Sequence, residues 1–245
     1  MEKILVSYRE KLPPETIRLA DPEQLAVVTI DGPAGAGKST VSRILAERLR
    51  FDYIDTGAMY RVVALRAKDL HIDPHDDGAL ERLCRELDIT FQRDGEEWRI
   101  FESGEDLTAA IREPEISMLA SRTSARPAVR AAMTELQRRL GQKGRAVFEG
   151  RDMGTVVFPR AAAKFFLIAD IQSRSERRFL ELKDSSDNLT LDRVAADMRQ
   201  RDHNDQTRPV APLRPPEDAL IVDSTNLTIN QVVEKMLDFI NKKMN

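Results

Sequence analysis

Residues 32 to 39 read Gly32-Pro33-Ala34-Gly35-Ala36-Gly37-Lys38-Ser39, with Thr40 next. Glycines at this spacing let successive backbone N–H groups converge on one point, and such a concavity at the positive end of a helix suits a polyphosphate. Lys38 would add a point charge for the β- and γ-phosphates, and Ser39 would offer its hydroxyl to Mg²⁺. Residues Gly32 to Thr40 are therefore expected to bind a nucleoside triphosphate.

A second chemistry is carried by arginines. Arg151, Arg174, Arg177, Arg178, Arg201 and Arg208 fall in the C-terminal part, near expected strand ends or on helices. Planar guanidinium forks can hold phosphate oxygens at both ends, which suits two phosphate groups brought together for transfer. Phosphoryl transfer needs charge neutralisation and alignment more than covalent chemistry, so an arginine-lined closing cleft is its expected signature. For Arg177 or Arg178 alone, a solvated helix face is the competing reading. The guanine-reading Asn-Lys-x-Asp is absent from the sequence, which disfavours a GTPase.

Positioning these residues requires strands and helices in alternation. The apolar run Leu25 to Ile30 reads as a buried strand, and Thr40 to Leu49 has helical spacing with Val41, Ile44, Leu45 and Leu49 on one side. Tyr53 to Asp55 predicts a short strand turning into a helix with Thr56 at its N-cap. Between about 76 and 126 the period changes. A helix over Ala79 to Leu87 leads into Ile89 to Gln92, then Asp94-Gly95, then Trp98 to Phe101, a hairpin signal. A hairpin within a β-α-β chain suggests a small inserted lobe. Beyond it come a helix at 128–140 and strands at Arg145 to Phe148 and Lys164 to Ile168. Helices near 173–184 and 190–203 precede the turn Pro209 to Leu213, the strand Ala219 to Val222 and the helix Ile229 to Asn241. This pattern predicts an α/β fold, a parallel sheet covered by helices on both faces.

Bulk properties agree. The 245 residues carry a formal net charge of −3, with 41% apolar and 32% charged residues. That balance argues against a nucleic-acid partner. The single cysteine, Cys84, excludes an internal disulfide and a thiolate metal site, and reads as a small core residue. No run reaches membrane-spanning length and the N-terminus lacks a signal-peptide pattern, so no membrane partner and a cytoplasmic location are expected. Residues 1–24, broken by Pro13, Pro14 and Pro22 around the strand-like Ile4-Leu5-Val6, read as an extension of unknown role.

Four segments occur in a telling order: Ile30 to Thr40, Asp55-Thr56-Gly57-Ala58-Met59-Tyr60-Arg61, Gly150-Arg151-Asp152-Met153-Gly154-Thr155-Val156-Val157-Phe158-Pro159, and Arg208-Pro209-Val210-Ala211-Pro212-Leu213. Together they closely resemble the bacterial cytidylate kinases, a nucleoside monophosphate kinase family, over about residues 25 to 243. The resemblance implies phosphorylation of CMP and dCMP from ATP with Mg²⁺. It also implies a core sheet with an inserted monophosphate-binding lobe at about 76–126 and a short helical lid at about 174–190. By matching motifs, Lys38, Ser39 and the loop amides would hold ATP and Mg²⁺, and Arg61 and Arg151 the CMP phosphate. Thr56, Arg130, Asp152 and Arg208 would form the base pocket, while Ser121, Arg201 and Asp205 would reach the ribose. Arg174, Arg177 and Arg178 would close on the transferring phosphoryl group, and a monomer is expected.

The base chemistry supports that assignment. Cytosine offers an exocyclic amine beside ring acceptors, so its reader should pair a carboxylate with cationic donors, as Asp152 with Arg130 and Arg208 would. Asp152 as a Mg²⁺-directed acid or a turn cap, and Asp205 as a plain ion-pair partner of Arg201, remain alternatives. Two positions depart from the family's usual pattern: Thr56 stands where Ser is usual, and Glu149 where Asp is common. Glu149 is not assigned a catalytic role. A kinase of another small acceptor, such as a different monophosphate or shikimate, and a nucleotide-dependent switch without an acceptor are the competing functions.

Overall fold

The computed structural model describes residues 25–95, 97–183 and 189–244; the expected extension at 1–24 and the middle of the expected lid lie outside them. Five parallel strands form the central sheet: β1 (Leu25–Asp31), β2 (Asp52–Asp55), β6 (Ala146–Gly150), β7 (Ala161–Ile168) and β8 (Leu220–Asp223). Their spatial order is β2-β6-β1-β7-β8. In-register pairs run Val28 to Val147 and Ile30 to Glu149 on one flank of β1, and Ile30 to Phe165 on the other. Because β1 lies centrally, its carboxyl end opens where neighbouring crossovers diverge, the usual place for a ligand crevice in such sheets.

Alternation along the strands divides the core. Val27, Ile54 and Phe148 face a layer with Met59, Val63 and Met133. Val28, Ile30, Val147 and Phe165 face the opposite layer with Leu45, Val232 and Met236. These positions come from α2 (Thr56–Asp69) and α5 (Pro127–Gly141) on one side, and from α1 (Lys38–Leu49) and α8 (Ile229–Met244) on the other. Each fully buried aliphatic or phenylalanine side chain contributes about 1.5–3 kcal/mol, so the two layers hold the sheet rigid beneath its loops.

Between α2 and α5 lie α3 (Asp77–Glu86), then β3 (Ile89–Asp94) and β4 (Glu97–Glu102), paired antiparallel as the Asp94-Gly95 signal predicts. A two-residue strand, β5 (Glu105–Asp106), completes this sheet. The helix α4 (Pro114–Thr123) follows a single 3₁₀ turn, and sequence periodicity does not foresee it. Only Ile116 and Ala120 of α4 are buried apolar residues, packing with Ala64 of α2, too few to make a visible apolar stripe. The C-terminal part adds α6 (Ile171–Leu182) and α7 (Leu191–Thr207), which pack against each other. Cys84 is buried in the first core layer, as its neighbours predict.

Candidate functional site

Strand β1 ends at Asp31, and the chain turns at once through the glycine loop into α1. Gly32 has φ +147°, and a Cβ there would sit 2.0 Å from the Leu167 carbonyl oxygen of β7. Gly37 has φ +88° at the N-cap of α1. Both conformations are open to glycine and strained for other residues, so the loop hugs the sheet edge and turns sharply into the helix. Asp31 is fully buried and accepts the backbone N–H groups of Met153 and Gly154, both at 2.8 Å. That pairing ties the glycine loop to the Gly150-Arg151-Asp152 turn. Burial pushes the Asp31 carboxyl up to about 6 despite these donors. Nothing in local sequence pattern foretells this role.

The loop borders a cleft of about 770 Å³, within the range of small-molecule sites. Ala34 to Thr40, Thr56, Arg61, Ser121, Arg130, Arg151, Asp152, Arg177, Arg178, Arg201, Asp205 and Arg208 all line it. Residues scattered over more than 170 positions of the chain thus meet in one place. Gly32, Pro33 and Arg174 do not line it, although the Pro33 carbonyl accepts from Lys38 and Arg174 donates to the Ala34 carbonyl.

At the phosphate end, Lys38 Nζ donates to the Pro33 carbonyl at 2.6 Å. Burial, then the nearby Arg151, pull its ammonium well below the usual lysine range. The Ser39 hydroxyl donates to Glu149 Oε1 at 2.7 Å, and Tyr53 donates to the same oxygen at 2.8 Å. Glu149 Oε2 is buried without a hydrogen-bond partner among the described residues. Burial, then the Asp55 carboxylate, push the Glu149 acid upward. In the sequence, the one signal for Glu149 is its place directly before Gly150 at a strand end.

The helix α2 is capped by Asp55, whose carboxylate accepts the Ala58 N–H at 2.9 Å, and not by Thr56 as expected. The Thr56 hydroxyl instead donates to the Glu149 carbonyl at 2.6 Å, pinning the start of α2 to the end of β6. Arg61 pairs with Asp55 at 3.1 Å, and its Nε is buried without a partner among the described residues. Tyr60 also lines the cleft, with the Arg130 guanidinium 5.7 Å from its ring centre. It sits four residues after Thr56 on one helix face, which periodicity could have shown.

The far wall is an ion network. Asp152, 2% exposed, receives Arg130 on Oδ2 at 2.5 Å and Arg208 on Oδ1 at 3.4 Å. Asp205 pairs with Arg151 at 2.8 Å and more loosely with Arg208 at 3.8 Å. The alternative of an Asp205–Arg201 pair is thereby corrected: the two are four residues apart on α7, but Arg151 reaches Asp205 from β6's end and takes its oxygen. Arg201 makes no hydrogen bond or ion pair with described residues, and burial together with Arg151 lowers its pKa to about 10. A cation without a direct partner, crowded by other cations in a cleft, is a site that favours an anion.

The three helix α6 arginines separate. Arg174 is buried, paired with Asp202 of α7 at 2.6 Å and donating to the Ala34 carbonyl at 3.0 Å. Arg177 donates to the Ser224 carbonyl at 3.0 Å, and Arg178 pairs with Glu181 at 2.8 Å. Arg177 and Arg178 line the cleft, while Arg174 braces α6 against α7 and the glycine loop from outside it.

Similarity to known proteins runs along almost the whole of this arrangement. A relative from Geobacter sp. (strain M21), described as cytidylate kinase, is 51% identical over 214 residues, covering 87% of this chain and 92% of that protein. Another of the same description, from Syntrophotalea carbinolica, is 50% identical over 215 residues, covering 87% and 91%. Among solved structures, an uncharacterized protein from Eubacterium ventriosum superposes with a TM-score of 0.50 at 9% identity, covering 88% of this chain and 98% of that one. That likeness concerns the fold alone. Since the cytidylate kinase family model matches residues 28–242, spanning every wall of the cleft, the chain belongs to the cytidylate kinase family.

Proposed function

We propose that this protein transfers the γ-phosphoryl group of ATP to CMP and dCMP. The single observation that carries the base choice is Asp152 held between Arg130 and Arg208 in the same cleft as the glycine loop. Its carboxylate oxygens keep lone pairs free for the cytosine amine, and the two arginines leave donors for the ring carbonyl. Uracil would oppose a carbonyl to that carboxylate. The unpaired Arg201, with Arg61 and Arg151, supports reading the middle of the cleft as the place of the acceptor phosphate and ribose, with Ser121 and Asp205 reaching the sugar.

In this reading Lys38 and the loop amides of Gly32 to Thr40 hold the ATP phosphates, their positions fixed before the substrates arrive. Preorganised donors of this kind stabilise the charge that develops on transfer. Divalent-ion binding fits the residues present. The Ser39 hydroxyl and the partnerless Glu149 Oε2 are hard oxygens at the phosphate end, the donors Mg²⁺ prefers beside substrate phosphates. When bound, the ion would neutralise phosphate charge. Arg177 and Arg178 complete the cationic wall from α6, and this part of the chain, about 174–190, serves as a lid that excludes water. The segment 76–126 serves as the monophosphate-binding lobe. Its α4 brings Ser117 and Ser121 to the cleft, which supports that assignment.

Among the described residues, no helix is long and apolar enough to cross a membrane. A monomer working in the cytoplasm without nucleic-acid partners is the accompanying proposal. A coupled assay of ADP release across CMP, dCMP, UMP, AMP, GMP and shikimate tests the whole reading. Release stimulated by CMP and dCMP is expected. Stimulation by another acceptor alone would favour a different kinase, and none at all a nucleotide switch.

A further inference from the structure

Tyr53 belongs to neither the phosphate contacts nor the base pocket, yet it is buried beside them. It lies on β2, two residues before Asp55, which pairs in register with Glu149 on β6. This register brings Tyr53 to the same sheet face as Glu149, where its hydroxyl donates to Glu149 Oε1 at 2.8 Å. The Ser39 hydroxyl donates to that same oxygen at 2.7 Å. Both donors thus occupy one carboxylate oxygen, and the other, Oε2, is left buried and without a partner among the described residues. A glutamate has three side-chain torsions, one more than aspartate, and without such anchors its carboxylate would be free to rotate. A carboxyl oxygen buried without a partner is costly, and a cation beside it would offset that cost.

The ring of Tyr53 is itself held. Trp98, on β4 of the inserted hairpin, meets it edge-on with ring centres 5.9 Å apart and planes at 69°. A second tie joins the hairpin to α1, where Arg93 pairs with Glu47 at 3.0 Å. The hairpin therefore reaches the helix that begins with Lys38 and Ser39 through Arg93, and the Glu149 cluster through Tyr53.

We infer that Tyr53, backed by Trp98, is a positioning residue that commits Glu149 Oε1 to protein donors and so presents Oε2 to the divalent ion beside Ser39. This inference rests on the reading that Ser39 and Glu149 hold that ion. It assigns the inserted hairpin a part at the ATP end of the cleft, while α4 of the same lobe serves the acceptor end.

The test uses Mn²⁺ as the probe, with free Mn²⁺ measured by electron paramagnetic resonance over the full-length protein saturated with a non-hydrolysable ATP analogue. Tyr53→Phe keeps the ring against Trp98 and removes the donor. Its Mn²⁺ affinity is expected to fall about fivefold, the worth of one ordinary hydrogen bond, while analogue affinity without metal stays within about twofold. Trp98→Leu is expected to weaken Mn²⁺ binding in the native background and to add nothing in the Tyr53→Phe background. Glu149→Gln serves as the reference for the reading beneath. Unchanged Mn²⁺ affinity in Tyr53→Phe, with a loss in Glu149→Gln, would overturn the positioning role and leave the metal site standing. Unchanged affinity in Glu149→Gln would remove the metal site itself. Losses from Trp98→Leu and Tyr53→Phe that simply add would remove the hairpin's part.

Discussion

Asp152 and Arg130 form an ion pair at 2.5 Å in which neither side chain is more than 3% exposed. Arg208 approaches the other Asp152 oxygen at 3.4 Å, so the carboxyl group is fixed and walled in before any nucleotide enters. An oriented, buried acceptor discriminates strongly, because a ligand lacking the matching donor leaves it unpaired. Asp152→Asn is expected to lower kcat/KM for CMP and to narrow the gap to UMP, since an amide can donate to the uracil oxygen. The gap in the native protein should be roughly a hundredfold, a few kcal/mol of lost hydrogen bond and desolvation. Measuring both nucleotides on both proteins decides the point; an unchanged CMP-to-UMP ratio would remove Asp152 from the base pocket.

Lys38 is buried behind the glycine loop with its ammonium 2.6 Å from the Pro33 carbonyl. Lys38→Ala is expected to cut turnover about a thousandfold, the effect of losing ~4 kcal/mol of transition-state stabilisation. The fold should survive, because the alanine sits at the first turn of α1 and leaves the buried Val41 and Leu45 in place. Near-normal turnover in the purified variant would remove the lysine from the ATP site.

The strand–loop–helix around Lys38 was legible in sequence because each part obeys a local rule: an apolar run, glycines with positive φ, a helical period. The hairpin was legible for the same reason, through Asp94-Gly95. The arginine network was visible as a set of residue types, but its pairings were not. Arg174 meets Asp202 and the Ala34 carbonyl, partners 28 and 140 residues away, and only the packing of α6 on α7 decides that. Arg151 takes Asp205 from Arg201 by the same long-range means. Glu149 illustrates the limit on chemistry: one residue of sequence marks it, while its significance lies in Tyr53, 96 positions earlier. The helix α4 escaped because its core contribution is two small contacts and not a stripe.

Arg174, Arg177 and Arg178 share one helix and are expected to behave differently. Removing the Arg174 guanidinium strands Asp202, whose Oδ1 is already without a hydrogen-bond partner among the described residues. Breaking a buried pair from one side typically costs about 3–5 kcal/mol. Arg174→Ala should therefore lower Tm by several degrees, with lost activity following lost structure. Arg177→Ala and Arg178→Ala should leave Tm nearly unchanged and slow single-turnover phosphoryl transfer. Weaker CMP binding with an unchanged transfer rate in these two variants would count against their lid role.

Protonation at the phosphate end is poised close to neutrality. Burial and Arg151 lower the Lys38 pKa to about 7, and burial with Asp55 raises that of Glu149 to about 7. The lysine thus gives up its proton more readily, and the carboxyl holds its proton more firmly, than either would in water. Incoming phosphates favour the charged ammonium and disfavour the carboxylate, so both pKa values rise when ATP binds without metal. Both shifts have the same sign, and each draws a proton from solvent. Metal-free ATP binding at pH 7 to 7.5 is therefore expected to take up protons and to weaken as pH rises through that window. Calorimetric titrations in buffers of differing ionisation enthalpy measure the uptake directly. Adding Mg²⁺ should reduce it, because a cation beside Glu149 favours the carboxylate and returns that proton. Lys38→Ala should lose the lysine's share of the metal-free uptake and keep that of Glu149, and an uptake of zero in the native protein would count against both shifts.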